Sequence, residues 1–445
     1  MLFRFTNINY LFIESVLSKR VTEEYHNMSI PDRQPNKLSR KLKVSIFNRF
    51  PRGIWVMTGV DILLTIGFSI SMPFLALYLH NERNISMSLV GMLFLISGIV
   101  TALANLIGGV LADHFGRRKT VMMMSGFAVL AHAGLAVLIA LGAEVWLIFT
   151  AYIVARGIIG MMQPAESAII ADVAPKERLT ESYAFVRVGG NIGFALGPAM
   201  GGYLLTFLSY AWLIGIAALT CGLVALLVLL QLHETFKGSA ERADIRSTLA
   251  VARDHRFLIF SLFSLLLFAS MAQLGSTLSV FSVDRLAFTT AQYGLLLTTN
   301  GIIVAVFQYP VAIWMNKFPR YRGLILGSIL YAIGYTSFGW VKSFDWGLVS
   351  MAIITAGEIT FSPIASSVIA ESAPFNWRGR YMGFAGLSQT VGVSFAPLFG
   401  GVLLDAFPHE SRLLWGLIGL VGLIPAFGFI WWGRKKFKPS PLIDR

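Results

Sequence analysis

Asp61, Arg156 and Glu358 stand inside stretches of sequence otherwise suited to hydrocarbon. A charged side chain at such depth costs at least ~2.5 kcal/mol, so each needs a partner, a water-filled cavity or a proton. An acid in apolar surroundings keeps its proton and gives it up when water reaches it, which is the chemistry of a proton carrier. Asp61 and Glu358 are candidates for that role, and Arg156 is a charge that a deprotonated acid would meet. The plainer use of such acids is a standing interhelical ion pair or a neutral, hydrogen-bonded carboxyl, and Gly357-Glu358 also suits close helix packing. A second constellation is the turn from Gly108 to Lys119, where Asp113 precedes Arg117, Arg118 and Lys119 between two long apolar runs. Joining two helices needs little more than a tight connection, so this much charge in a turn marks a functional candidate. The sequence holds no H-E-x-x-H, no G-x-S-x-G and no phosphate-binding loop, so neither an enzyme site, a metal nor ATP is expected. No cofactor is expected, with a proton gradient as the expected energy source.

The elements that must hold these residues are helices across a bilayer. The 445 residues are 56% hydrophobic and only 13% charged, with a mean hydropathy of +0.68, far outside soluble composition. A net charge of +13 would suit nucleic acid, but the bases are dispersed between apolar runs and form no aromatic-interleaved basic surface. The single cysteine, Cys221, excludes an intrachain disulfide and a cysteine-cluster metal site. About 20 apolar residues suffice to span a bilayer. Twelve such runs are expected at 54–79, 88–112, 120–141, 146–168, 182–207, 211–231, 257–282, 290–314, 323–341, 346–370, 381–404 and 411–433.

These divide the chain into an arm (1–53), a six-helix bundle (54–231), a polar linker (232–256), a second six-helix bundle (257–433) and a tail (434–445). The arm lacks a small-residue cleavage site and reads as cytoplasmic rather than as a signal peptide; Met1 and Met28 are alternative starts that an intact mass would separate. Lys and Arg collect in both termini and in the loops after spans 2, 4, 6, 8 and 10, whereas the opposite loops hold only Arg83, Arg285, Lys342 and Arg412. Both termini are therefore expected on the cytoplasmic side of the cell membrane. The bundles repeat: Pro164, Pro175, Pro198, Gly201 and Gly202 recur 199 residues later as Pro363, Pro374, Pro397, Gly400 and Gly401. Parallel repeats of this kind are what an alternating-access transporter requires.

Gly109, Leu111, Asp113, Gly116, Arg117 and Arg118 resemble the signature loop between helices 2 and 3 of the major facilitator superfamily. The resemblance implies an all-α membrane protein of twelve helices in two pseudo-symmetric six-helix bundles. Gly193, Gly197, Pro198, Gly201 and Gly202 on the fifth span resemble the antiporter motif of its twelve-helix drug:proton antiporters. Their four-residue spacing is also that of a generic close-packed helix pair. Arg156 with Gly160 resembles the superfamily element whose arginine is implicated in proton coupling. Asp172, Arg178 and Arg380 complete the likeness to the antiporters and join Gly109, Asp113, Gly116, Arg117 and Arg118 in an expected cytoplasmic gate. In that gate Asp113 would dock on the N-terminus of helix 11 when the cytoplasmic side is closed, where orphan N–H groups attract an acid, while Arg117 pairs Asp172 or another helix 4 acid. The second half departs from the pattern, with Asn316 in place of Asp113 and Pro319 in place of Gly116, which weakens a second gate.

Gln163, Asn191, Gln273, Asn300 and Gln389 are too polar for lipid and are candidates for a substrate cavity, with helix-to-helix bonds the commoner use. The expected function is proton-coupled export of small apolar or cationic compounds by a monomer in the lipid bilayer. Its rivals are a proton symporter or facilitator for sugars or other metabolites and, from another class, a receptor or intramembrane enzyme.

Overall fold

Backbone that meets no water must satisfy its own amides, and a helix does so within one segment. Each of the twelve apolar runs is helical in the structure, a computed structural model that describes residues 50–175, 178–235, 250–315, 317–374 and 377–435. Asn316 and most of the linker lie outside the described residues. The chain divides into two units, 1–50 and 51–445, and all twelve helices belong to the second. The first bundle holds α1 (Arg52–Leu77), α2 (Met87–Phe115), α3 (Arg117–Ala140), α4 (Val145–Val173), α5 (Leu179–Leu204) and α6 (Tyr210–Gln231). The second holds α7 (His255–Met271, continued by short turns to Arg285), α8 (Thr290–Met315), α9 (Arg320–Ser337), α10 (Phe344–Ser372), α11 (Arg378–Ala406) and α12 (Ser411–Arg434). Eleven of these are both long and apolar enough to cross a membrane. The exception is α5, whose glycines and polar residues lower its hydropathy and which packs between α1 and α8.

The packing repeats with the sequence. In the first bundle α1 packs on α5 and α6, α2 on α4, and α3 on α4 and α6; in the second α7 packs on α11 and α12, α8 on α10, and α9 on α10 and α12. Adding six to each number in the first set yields the second. The repeat extends to detail: α1 and α7 both end in a π turn, Tyr78–Glu82 and Phe281–Arg285, and each is followed by a non-glycine residue in the left-handed region, Asn84 and Ala287, both at φ 54°.

Two further pairs, α2 with α11 and α5 with α8, join the bundles. They meet at one end only. At the end away from Gly116, the far end, Gly91 lies against the Pro397–Leu398 backbone, Gly98 against Ser394, and Gly294 against Pro198, leaving no room for a Cβ. Toward the end that carries Gly116, the loop end, a Cβ at Gly109 or Gly386 would meet nothing within 4 Å, and Leu106, Val110, Val188, Ile192, Phe307 and Val391 are exposed. The bundles are closed at the far end and parted at the loop end.

Candidate functional site

The charged turn is shorter than its composition suggests. α2 runs to Phe115 and α3 starts at Arg117, so the turn is the single residue Gly116, at φ 94°, where an L side chain is strained. Glu234, just past α6, caps the helix that follows: its Oε1 accepts from the amides of Arg117 at 2.9 Å and Arg118 at 3.3 Å. A carboxylate at these orphan donors is favoured by both hydrogen bonding and the helix dipole. Arg117 forms an ion pair with Asp172 at the end of α4 and donates to Ala168 O at 3.2 Å. Arg118 donates to Leu229 O at 2.8 Å. Asp113 is exposed and has no ion pair among the described residues. The amide of Arg178 donates to Pro175 O at 2.8 Å, just ahead of α5, and Arg380 lies over the Trp377 ring, 4.3 Å from its centroid.

The second bundle carries a lock of its own. Arg320, first residue of α9, donates through Nε and Nη2 to Glu371 Oε1 at 3.1 and 2.8 Å. Glu371 stands 199 residues after Asp172, so the acid follows the repeat and a counterpart of the Arg117 pair survives the departures at 316 and 319. The pair persists in the second half in a more exposed setting than that of Arg117 and Asp172. The offset of the prolines was the signal that would have found Glu371. Glu234 and Asp254 had no such signal; Asp254 caps α7 through Phe257 N and accepts from Tyr381 of α11 at 2.7 Å.

The glycine stripe of α5 faces α1. A Cβ at Gly193 would come within 2.7 Å of Ile62 O, and one at Gly201 within 2.6 Å of Phe74, while Gly197 lies against Ser69. The other face, with Ala195, Pro198 and Gly202, packs on α8 through Gly294, Gly301 and Thr290. Pro198 lacks an amide proton and loosens the helix around it. Neighbouring hydroxyls donate to the carbonyls there: Ser69 to Gly193 O at 3.3 Å, Thr298 to Ala195 O at 2.9 Å and Thr290 to Gly202 O at 3.0 Å. α5 is thus the joint between its own bundle and the other.

The embedded charges fall at two levels. Asp61 lies against α5 at Gly190, where a Cβ would come within 2.5 Å of Oδ2; Arg187 and Glu166 act on it electrostatically. Counted from the helix ends at 1.5 Å per residue, these three groups share one depth, while Arg156 lies roughly 12 Å farther from the loop end. Arg156 therefore does not meet Asp61 in this conformation. Its guanidinium stands over Phe68, 5.0 Å from the ring centroid, beside His132, Tyr152 and Cys221 in a cavity inside the first bundle. Glu358 accepts from Asn300 at 2.8 Å, and Asn300 also reaches Thr355 at 3.0 Å.

A cleft of about 230 Å³ opens between the bundles, lined by Arg187 of α5 and by α7, α10 and α11, including Phe260, Ser261, Ser264, Phe268 and Gln389. Gln163 is exposed and Asn191 half-buried. Gln273 and Asn300 are only 1% and 3% exposed. Gln273 donates to Ala396 O at 3.0 Å and accepts from Thr277 at 2.5 Å. In this conformation these two tie helices together and do not line the cleft. Ser261 and Ser264, which no pattern in the sequence singled out, face it with buried hydroxyls that have no hydrogen-bond partner among the described residues.

A sequence profile described as Major Facilitator Superfamily matches residues 59–291 and 264–444. Among curated relatives, a Na(+), Li(+), K(+)/H(+) antiporter of Planococcus maritimus is 26% identical over 88% of this chain and 97% of its own length. The multidrug resistance protein MdtH of Cronobacter sakazakii is 24% identical over 86% and 94%. Among solved structures, a POT family transporter in complex with a thioalcohol-conjugated peptide superposes with a TM-score of 0.72 at 15% identity, over 86% of this chain and 96% of that one. The nucleoside transporter NupG superposes at 0.69 and 14%, over 86% and 100%. At these identities the structures speak for the fold.

Proposed function

We propose, since the chain belongs to the Major Facilitator Superfamily and is accordingly a multi-pass secondary transporter of small molecules rather than an enzyme, that it exports small apolar or cationic compounds from the cell in exchange for protons. The observation that carries this reading is the seat of Asp61. The acid is set into the α1–α5 contact, beside the glycine stripe and one depth with Glu166 and Arg187. Any rotation of α5 on α1 would change its access to water, and only such a difference between states can couple protons to movement. The cleft offers apolar contacts at Phe260, Phe268, Ile369 and Met382 beside the polar groups of Arg187, Gln389 and four serines. The loop end then faces the cytoplasm of a cell-membrane protein acting as a monomer, and the structure is the inward-open state.

Two relatives bear on the exchange: one is named for multidrug resistance and one for exchange of alkali cations with protons. The second of these, together with the neighbouring acids Asp61 and Glu166, favours alkali cation export as a second reading. Purified protein in vesicles, offered fluorescent cations, drugs, sugars and Na⁺, Li⁺ or K⁺ under pH gradients of both signs, separates these. Drug or dye movement driven against its gradient by protons supports the first reading and alkali cation movement alone the second. Sugar uptake down a proton gradient would overturn both.

A further inference from the structure

α2 and α11 cross antiparallel between the bundles, so each end of the pair presents the last turn of one helix to the first turn of the other. At the far end that meeting is made. Asp405, next to last in α11, accepts from Met87 N at 3.0 Å and Ser88 N at 2.7 Å, and also from the Ser88 hydroxyl. These are the first amides of α2, which have no partner within the helix and carry its positive end. Arg285 holds the same end of α11 by donating to Phe407 O at 2.7 Å and Leu404 O at 2.8 Å. A second tie between the bundles stands beside it, Asn81 of the first donating to Asp284 of the second at 2.6 Å. At the loop end the matching acid is Asp113, third from last in α2, which is exposed where the two helices have parted.

We infer that Asp405 is a positioning residue for transport: it latches the far end of the α2–α11 pair in the conformation seen here, the counterpart of the loop-end docking that the family resemblance already implies for Asp113 in the other. The two carboxylates are reciprocal. Each engages the N-terminus of the facing helix in one state and water in the other, so each stabilises one state only and the transporter alternates between them. Neither acid shares a register with the other under the 199-residue repeat; the reciprocity arises from the antiparallel crossing, which exchanges the roles of the two helices.

The inference rests on the alternation between two states, and the test separates the two. Full-length protein with Cys221→Ser is placed in lipid nanodiscs, with one spin-label pair at Glu144 and His409 for the far end and another at Lys119 and Lys317 for the loop end. Distances are measured in the parent, Asp405→Asn, Asp113→Asn and the double variant. Asp405→Asn should lower the ratio of far-closed to far-open molecules about threefold to fivefold, Asp113→Asn should raise it, and the double variant should return close to the parent. A drop in melting temperature with an unmoved ratio would make Asp405 a mere helix cap and overturn the latch. A shift in the same direction for both single variants would overturn the reciprocity. Should every variant show one population at both ends, alternation itself fails and the latch falls with it.

Discussion

The two bundles share a scaffold and differ in where they keep charge. Each closes the turn between its second and third helices with an arginine on the last turn of its fourth, Arg117 on Asp172 and Arg320 on Glu371. The first pair is the more buried, at 12% and 27% side-chain exposure against 32% and 56%, and only there does a second acid, Glu234, cap the following helix. α9 starts instead on Pro319, with no side-chain cap. The embedded acids divide the same way. Asp61 of the first bundle sits in the α1–α5 contact near Glu166 and Arg187, whereas Glu358 of the second is hydrogen-bonded by Asn300 of its own bundle and shares with Asp61 the electrostatic influence of Arg187. The repeat has kept packing and let the placement of charge diverge, with Asp61, Arg156, Glu166 and Arg187 embedded in the first bundle and Glu358 in the second.

The sharpest way to break this division is to neutralise the two acids in turn. Asp61→Asn should reduce gradient-driven accumulation in vesicles to the level of empty vesicles while leaving ligand binding and passive exchange measurable. Glu358→Gln should retain accumulation, since an amide keeps a hydrogen-bonding partner for Asn300. Should Asp61→Asn still concentrate substrate while Glu358→Gln cannot, the carrier lies in the second bundle and the division is reversed.

Thermal unfolding tests the two locks. Arg117→Ala leaves a partly buried carboxylate uncompensated and also removes the bond to Ala168 O, so a loss of about 2–3 kcal/mol is expected. Arg320→Ala, in an exposed pair, should cost about 1 kcal/mol or less. Equal losses would show that the locks are equivalent in spite of their burial. The smallest effect belongs to the cap. Glu234→Gln removes a charge from the N-terminus of α3 but retains an acceptor, for a loss of about 0.5 kcal/mol that shrinks further with added salt; no change at low salt would remove Glu234 from the comparison.

Twelve helices, two bundles and a six-helix offset were legible in the sequence because each rests on a local property. Hydropathy over some 20 residues marks a span, and prolines and glycines at a constant offset mark a repeat. Helix ends moved by a few residues, most at the end of α4, which runs to Val173; at the signature turn Gly116 alone suffices to reverse direction and the flanking charges become helix. The candidate residues fared unevenly for the same reason. The glycines of α5 announced close packing by their spacing, though not that one face serves α1 and the other α8. Gln273 and Asn300 are polar in a membrane helix whether they bind substrate or another helix, and the sequence does not distinguish the two.

What the sequence determined by itself was class, span count and repeat, all of which follow from chain-local free energies of transfer and backbone freedom. Tertiary structure decided which charges meet. Asp61 belongs with Gly190 and Arg187 and not with Arg156, because depth is counted from opposite ends of α1 and α4, which enter the membrane from opposite sides. Glu371 finds Arg320 across 51 residues, Glu234 reaches back 117 to Arg117, and Asp405 meets Met87 across 318. Such pairings depend on the lateral order of helices and on which end of the molecule is closed, and neither is encoded in any segment alone.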